Sequence, residues 1–138
     1  MSRSVFIDTA PLVYLLEGAE ALRVPAAKQI TAWLDGGATL HSSTLTLMEL
    51  LVKPIRDDNP ALTQKYQSLF AHLLSTPPWQ LDGAGAVLAA RYRAVYHVRT
   101  IDAAQLACAV VNGCSHFYTN DHDLRRITDI QVVGVGEF

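Results

Sequence analysis

Short apolar runs that read as strands recur along this chain, and helical patterns stand between them. That order constrains the fold more than any other feature. Val5 to Asp8 reads as a first buried strand and Ala38-Thr39-Leu40-His41-Ser42 as a second. Trp79 to Gly83 is a candidate short edge strand, and His116 to Thr119 and Ile130 to Val133 complete the set. Strands separated by helical patterns imply crossover units and a parallel sheet with helices on both faces. The expected fold is α/β: a three-layer α/β/α sandwich with a parallel sheet of about five strands.

The helical stretches carry their own punctuation. Pro11 suits the first turn of a helix that Gly18 stops. A second helix fits Pro25 through Leu34 before Gly36-Gly37, and "TLTLMELLVKPI" is helical until Pro54. Asn59 and Pro60 supply a cap and a first-turn proline for the clearest helix. Its apolar stripe of Leu62, Tyr66, Leu69, Phe70, Leu73 and Leu74 has the spacing of a core-facing surface. Thr76-Pro77-Pro78 ends it. Gly83 to Tyr96 is Ala-rich and helical, and Thr100 caps a last helix that Asn112-Gly113 terminates. There is no repeat, low-complexity tract or dividing linker, so residues 1–138 read as a single domain.

A chain of 138 residues can bury a substantial core, and with half its residues apolar and 17% charged it is globular rather than disordered. The net charge of -2 argues against a general basic surface for nucleic acid and leaves room for a local basic strip. Cys108 and Cys114 match neither a CxxC motif nor a metal-finger spacing and read as buried thiols in a reducing compartment. No apolar run approaches the ~18 residues of a membrane span, and the N-terminus lacks a signal pattern. The expectation is a cytoplasmic protein with no membrane partner.

In such a sheet, chemistry sits beyond the carboxyl ends of the strands, where the strand order reverses. Asp8 ends the first strand, and Asp121 follows the strand that finishes at Thr119. Asp102 lies in the first turn of the Thr100 helix, and Glu49 lies near the start of the helix after the second strand. Four acids far apart in sequence are thus expected at one edge of the sheet.

Each acid also has a plain structural reading. Thr46-Leu47-Met48-Glu49 matches a capping box, and Asp102 suits the positive end of its helix dipole. Asp8 suits a helix cap, and Asp121 in "TNDHD" suits a turn. Unrelated caps need not share one edge, and that favours a site. Carboxylates crowded together repel and raise each other's pKa, and a divalent cation relieves them. Oxygen-only donors point to Mg²⁺ or Mn²⁺ over zinc. Metal-bound water is a better nucleophile, and the cation offsets charge on a phosphorane-like transition state. Phosphate-directed hydrolysis is the reaction class these residues suggest.

"FIDTAPLVYLLEG", "LTLMELLVKPI", "TIDAAQLACAVVNGC" and "FYTNDHDL" resemble, in order and spacing, the blocks of the PIN-domain family. The nearest likeness is to the VapC-type ribonuclease toxins of prokaryotic toxin–antitoxin pairs. The resemblance implies a metal-dependent endoribonuclease that cleaves RNA, held inactive by a small antitoxin and often forming a homodimer. Asp8, Glu49, Asp102 and Asp121 match the family's acidic quartet, with Asp8, Asp102 and Asp121 as the metal ligands. Thr9 matches the polar residue after the first acid, and Thr119 the hydroxyl residue before the last; both are assigned to substrate binding. Members often follow the final acid with another acid and an aromatic. Here Asp123 keeps the acid, but Leu124 stands in place of the aromatic, and that departure keeps Asp123 out of the ligand set.

An acidic site needs a positive rim to attract RNA, and Lys53, Arg56, Arg91, Arg93, Arg99, Arg125 and Arg126 are its candidates. A solvated surface is the plain alternative for each. Arg99, close to Asp102, is the best placed. Against the nuclease stand a catalytically silent PIN-like module that binds RNA or protein, and a housekeeping nuclease without antitoxin. A phospho-acceptor domain using Asp8 lacks the expected second acid, since the run is Asp8-Thr9-Ala10, and has no lysine after Lys65.

Overall fold

A computed structural model describes residues 3–136. Its sheet has four strands: β1 (Ser4–Ile7), β2 (Thr39–His41), β3 (His116–Thr119) and β4 (Gln131–Gly134). Their order is β2-β1-β3-β4, and every pairing is parallel. Helices α1 (Thr9–Glu17) and α2 (Glu20–Asp35) connect β1 to β2. Helices α3 (Thr44–Arg56), α4 (Pro60–Leu73), α5 (Gly83–Tyr96) and α6 (Thr100–Val111) connect β2 to β3. A 3-10 turn, His122–Arg126, precedes β4.

Alternation along the central strands divides the core in two. Phe6 and Phe117 are paired in register and stack at 5.3 Å between ring centroids, facing α5 and α6 with Tyr92, Leu106 and Ala107. Val5, Ile7 and Tyr118 face the opposite way, toward Leu12, Ile30, Trp33, Leu50, Tyr66 and Phe70. Both faces of the sheet are therefore covered, which is why β1 reads as a continuous apolar run. Each fully buried large apolar side chain contributes roughly 1.5–3 kcal/mol. The α4 stripe behaves as its spacing requires: Tyr66 and Phe70 are buried, and Leu62, Leu69, Leu73 and Leu74 pack against the same cluster. Cys108 and Cys114 are both buried free thiols. Among the described residues, no helix is long and apolar enough to cross a membrane.

Several sequence expectations shift. The sheet has four strands, not five, because the Trp79 segment pairs at one position only, a bridge to Ser43. Pro77 and Pro78 carry no N–H for a ladder, and Asp82 already caps α5 through Gly85 N. Helix α2 starts at Glu20 rather than Pro25, which lies inside it. The missing proline N–H leaves the carbonyl of Ala21 to water, and Ala21 is exposed. Helix α3 likewise passes Pro54 and ends at Arg56; Asp57 N–H donates to Lys53 O and Asn59 N–H to Pro54 O, which closes the last turn. Helix α6 is capped by Arg99 without a side-chain bond, and Thr100 is its first residue. Gly18 stops α1 as expected. A Cβ there would lie 2.6 Å from Tyr14 O, closer than any side chain tolerates.

Candidate active site

Strand order reverses between β1 and β3, since the chain leaves β1 for β2 on one side and returns to β3 on the other. Loops beyond the carboxyl ends of these two strands diverge and leave a crevice. Asp8, directly after β1, lies in it. The residue is 9% exposed and each carboxylate oxygen accepts one bond: Oδ1 from Thr9 N at 2.8 Å, and Oδ2 from Thr119 Oγ1 at 2.9 Å. The Thr119 hydroxyl also accepts from Asp121 N at 3.1 Å, so one buried side chain holds the first and last of the four cleft acids in register. Burial pushes the Asp8 carboxyl up to about 6; the Thr9 and Thr119 bonds oppose that rise, and the charges of Asp102 and Glu49 add to it.

Asp102 sits in the first turn of α6 and is 8% exposed, its Oδ2 accepting from Arg99 Nε at 2.9 Å. Arg99 itself is largely in solvent. Its hydrogen bond to Asp102 comes first among the influences that strengthen its hold on its proton, and the charges of Asp102, Asp121 and Glu49 add to it. Glu49 is half-buried, and its Oε1 accepts from Thr9 Oγ1 at 2.7 Å. The capping-box reading of Thr46–Glu49 does not hold: α3 starts one turn earlier, with Ser43 as its cap bonded to Thr46 N. Glu49 therefore stands in the second turn, where no orphan helix donor needs it. For Asp8 and Asp121 the plain reading is also realised. Asp8 caps α1, and Asp121 Oδ1 accepts from Asp123 N at the start of the 3-10 turn. Capping and site roles coexist, because one carboxylate can bond a backbone N–H and still face a cleft.

The cleft has a volume of about 410 Å³ and is lined by Asp8, Thr9, Ala10, Glu49, Arg99, Asp102, Thr119, Asn120 and Asp121. Size does not single it out, since a groove between α1 and α4 measures about 570 Å³. Chemistry does: four carboxylates face one guanidinium. All seven residues expected from the sequence line it. Asn120 was not foreseen, although its position between Thr119 and Asp121 was the signal. The other candidate cations do not line the cleft. Lys53 pairs with Glu17, Arg56 approaches Asp57, and Arg126 bonds Asp123 and Tyr96 O. Asp123, tied to Arg126, is not among the lining residues either.

Among the described residues, no three acids approach closely enough to hold a metal ion as their side chains stand. The donor set nonetheless suits a hard cation. It is oxygen-only, and the buried Asp8 carboxyl, raised to about 6, is short of counter-charge.

The fold has solved counterparts. Over 95% of this chain and 98% of the other, it is similar to a structure titled VapBC2 from Rickettsia felis bound to a promoter DNA fragment, with a TM-score of 0.77 and 14% identity. A toxin–antitoxin complex from Klebsiella pneumoniae aligns with 97% of this chain and 99% of its own, with a TM-score of 0.75 and 20% identity. DNA-bound VapBC from Salmonella typhimurium aligns with 97% and 98%, with a TM-score of 0.71 and 18% identity. At these identities the likeness is one of fold. No curated protein matches the chain in sequence. The family model for the PIN domain matches residues 5–130, nearly the whole chain and every acid of the cleft, and the chain belongs to the PIN-domain family.

Proposed function

We propose that this chain is a single-domain, divalent-metal-dependent endoribonuclease and the toxin of a toxin–antitoxin pair. The observation that carries the reading is the convergence of Asp8, Glu49, Asp102 and Asp121, from four separate elements, on the crevice where the strand order reverses. Asp8, Asp102 and Asp121 would hold Mg²⁺ or Mn²⁺, which when bound supplies an activated water and offsets phosphoryl charge. Thr119 holds Asp8 in place from within the wall, and Thr9 does the same for Glu49. Glu49 Oε2, the oxygen that Thr9 does not engage, accepts the proton of the attacking water. Arg99, charged and exposed at the mouth, exchanges its contact with Asp102 for an RNA phosphate. Thr9 and Asn120 complete the substrate-facing wall.

An antitoxin partner follows by analogy with the similar toxin–antitoxin structures, and the family resemblance adds that it covers the cleft and that a second copy forms a homodimer. Met48, Val52 and Ile55, at helical spacing on α3 and each half or more exposed, support an α3 face covered by protein. A cytoplasmic location goes with this reading. The test is cleavage of single-stranded RNA by the purified protein with Mg²⁺ or Mn²⁺. Asp8→Asn and Asp102→Asn should abolish it while remaining folded; variants that cleave at the wild-type rate would sink the assignment. In cells, overexpression should stop growth, and co-expression of the adjacent antitoxin should restore it. Wild type that is folded, RNA-binding and inert would make the silent module the better reading.

A further inference from the structure

Gln105 is fully buried on α6, yet it is an amide in a neighbourhood of Ala103, Leu106 and Ala109. Its side chain reaches the start of α3. Ser43 Oγ donates to Gln105 Oε1, and Gln105 Nε2 donates to Thr46 Oγ1. Thr46 N–H donates back to Ser43 Oγ at 3.3 Å, closing a ring of three residues. Thr46 is 0% exposed and Ser43 1%, so water does not share these bonds. A buried polar ring of this kind is costly unless every member is bonded, and when bonded it specifies one arrangement.

The ring lies beneath the cleft on both helices. Thr46 is three residues before Glu49 on α3, and Gln105 is three residues after Asp102 on α6. Residues three apart share a helix face. Helices α3 and α6 approach each other over only a short stretch, so general packing does little to set their spacing. Leucine or methionine would fill the volume of Gln105 without burying an amide. What they lack is direction.

We infer that Gln105 is a positioning residue: its amide clamps the start of α3 to α6 and so sets the placement of Glu49 opposite Asp102. The consequence for catalysis rests on the nuclease reading above; the consequence for geometry does not. Thr46→Val with Gln105→Met removes both ends of the Gln105–Thr46 bond with little change of shape, and because it also takes away the acceptor of the buried Ser43 hydroxyl, a loss of stability goes with it. The Glu49 and Asp102 carboxyl ¹³C resonances, recorded in EDTA, should move in this variant. They should stay in place in Thr46→Ser, which keeps the hydroxyl. With metal and RNA, kcat should fall about 10–100-fold with KM within about twofold, and Thr46→Ser should restore wild-type kcat. If the double variant does not fold, Thr46→Val alone, which keeps the Ser43–Gln105 bond, should move the same resonances in the same direction by a smaller amount. Unmoved resonances in a folded variant, or an unchanged kcat in an active enzyme, overturn the clamp. If the wild type itself does not cleave RNA, the nuclease reading falls and the resonances still decide the clamp.

Discussion

The Thr9 hydroxyl donates to Glu49 Oε1 over 2.7 Å, joining the first turn of α1 to the second turn of α3 across 40 residues of chain. Glu49 is thereby turned into the cleft and away from the helix start that a capping box would have required.

Glu49→Gln keeps an oxygen for Thr9 and loses the charge. Its stability should stay within about 0.5 kcal/mol of wild type, because no cap is lost. Its RNA cleavage should fall at least ~100-fold, the usual loss for a missing acid–base group. Thermal melts and initial rates measure the two separately. Wild-type rates would leave Glu49 with a purely structural role.

Asp8 makes stability depend on pH in a defined direction. Its folded pKa of about 6 lies above the unfolded value near 3.9, so the native state binds the proton more tightly than the unfolded chain. In EDTA, the contribution of Asp8 to wild-type stability should decline as pH rises from about 4 to about 6 and level off above, by up to about 2–3 kcal/mol. Asp8→Asn cannot ionise. It should match wild type near pH 4 and exceed it at pH 7.5. Denaturant titrations at several pH values report the gap, and a gap that does not grow between pH 4 and pH 7.5 contradicts the raised pKa.

Asp121→Asn tests the metal. Asparagine caps the 3-10 turn as aspartate does, so the two proteins should melt alike in EDTA. With Mg²⁺ at a hundred times its dissociation constant, wild type should gain about 2.7 kcal/mol and the variant much less. Equal gains would remove Asp121 from the ligands. Chelation should also silence RNA cleavage by the wild type.

Arg99→Gln leaves the cleft without its cation. KM for RNA should rise several-fold, and the slope of log affinity against log salt should shrink by about 0.7, one phosphate contact on a single strand. Binding measured across a salt series reads this directly. A slope equal to wild type would assign Arg99 to Asp102 alone.

The amino-acid order by itself determined the α/β class, the helices with strong local signals and the edge at which the acids meet. Asn59 and Pro60 start α4, and Gly83–Tyr96 is helical residue for residue, because capping and propensity act within a few positions. Asp8 and Asp121 could be placed together because parallel strands bring their carboxyl ends to one side. Only the tertiary structure decided the rest. Pro25 and Pro54 remain inside helices because packing elsewhere outweighs one missing bond, and the Trp79 segment stops at one bridge. Thr119 joins Asp8 to Asp121, Thr9 turns Glu49 inward, and Gln105 ties α3 to α6. Asp8 and Thr119 are 111 positions apart and Ser43 and Gln105 are 62. No local propensity encodes such pairs; they form because the folded core excludes water and leaves each buried polar group only the partners that packing has brought within reach.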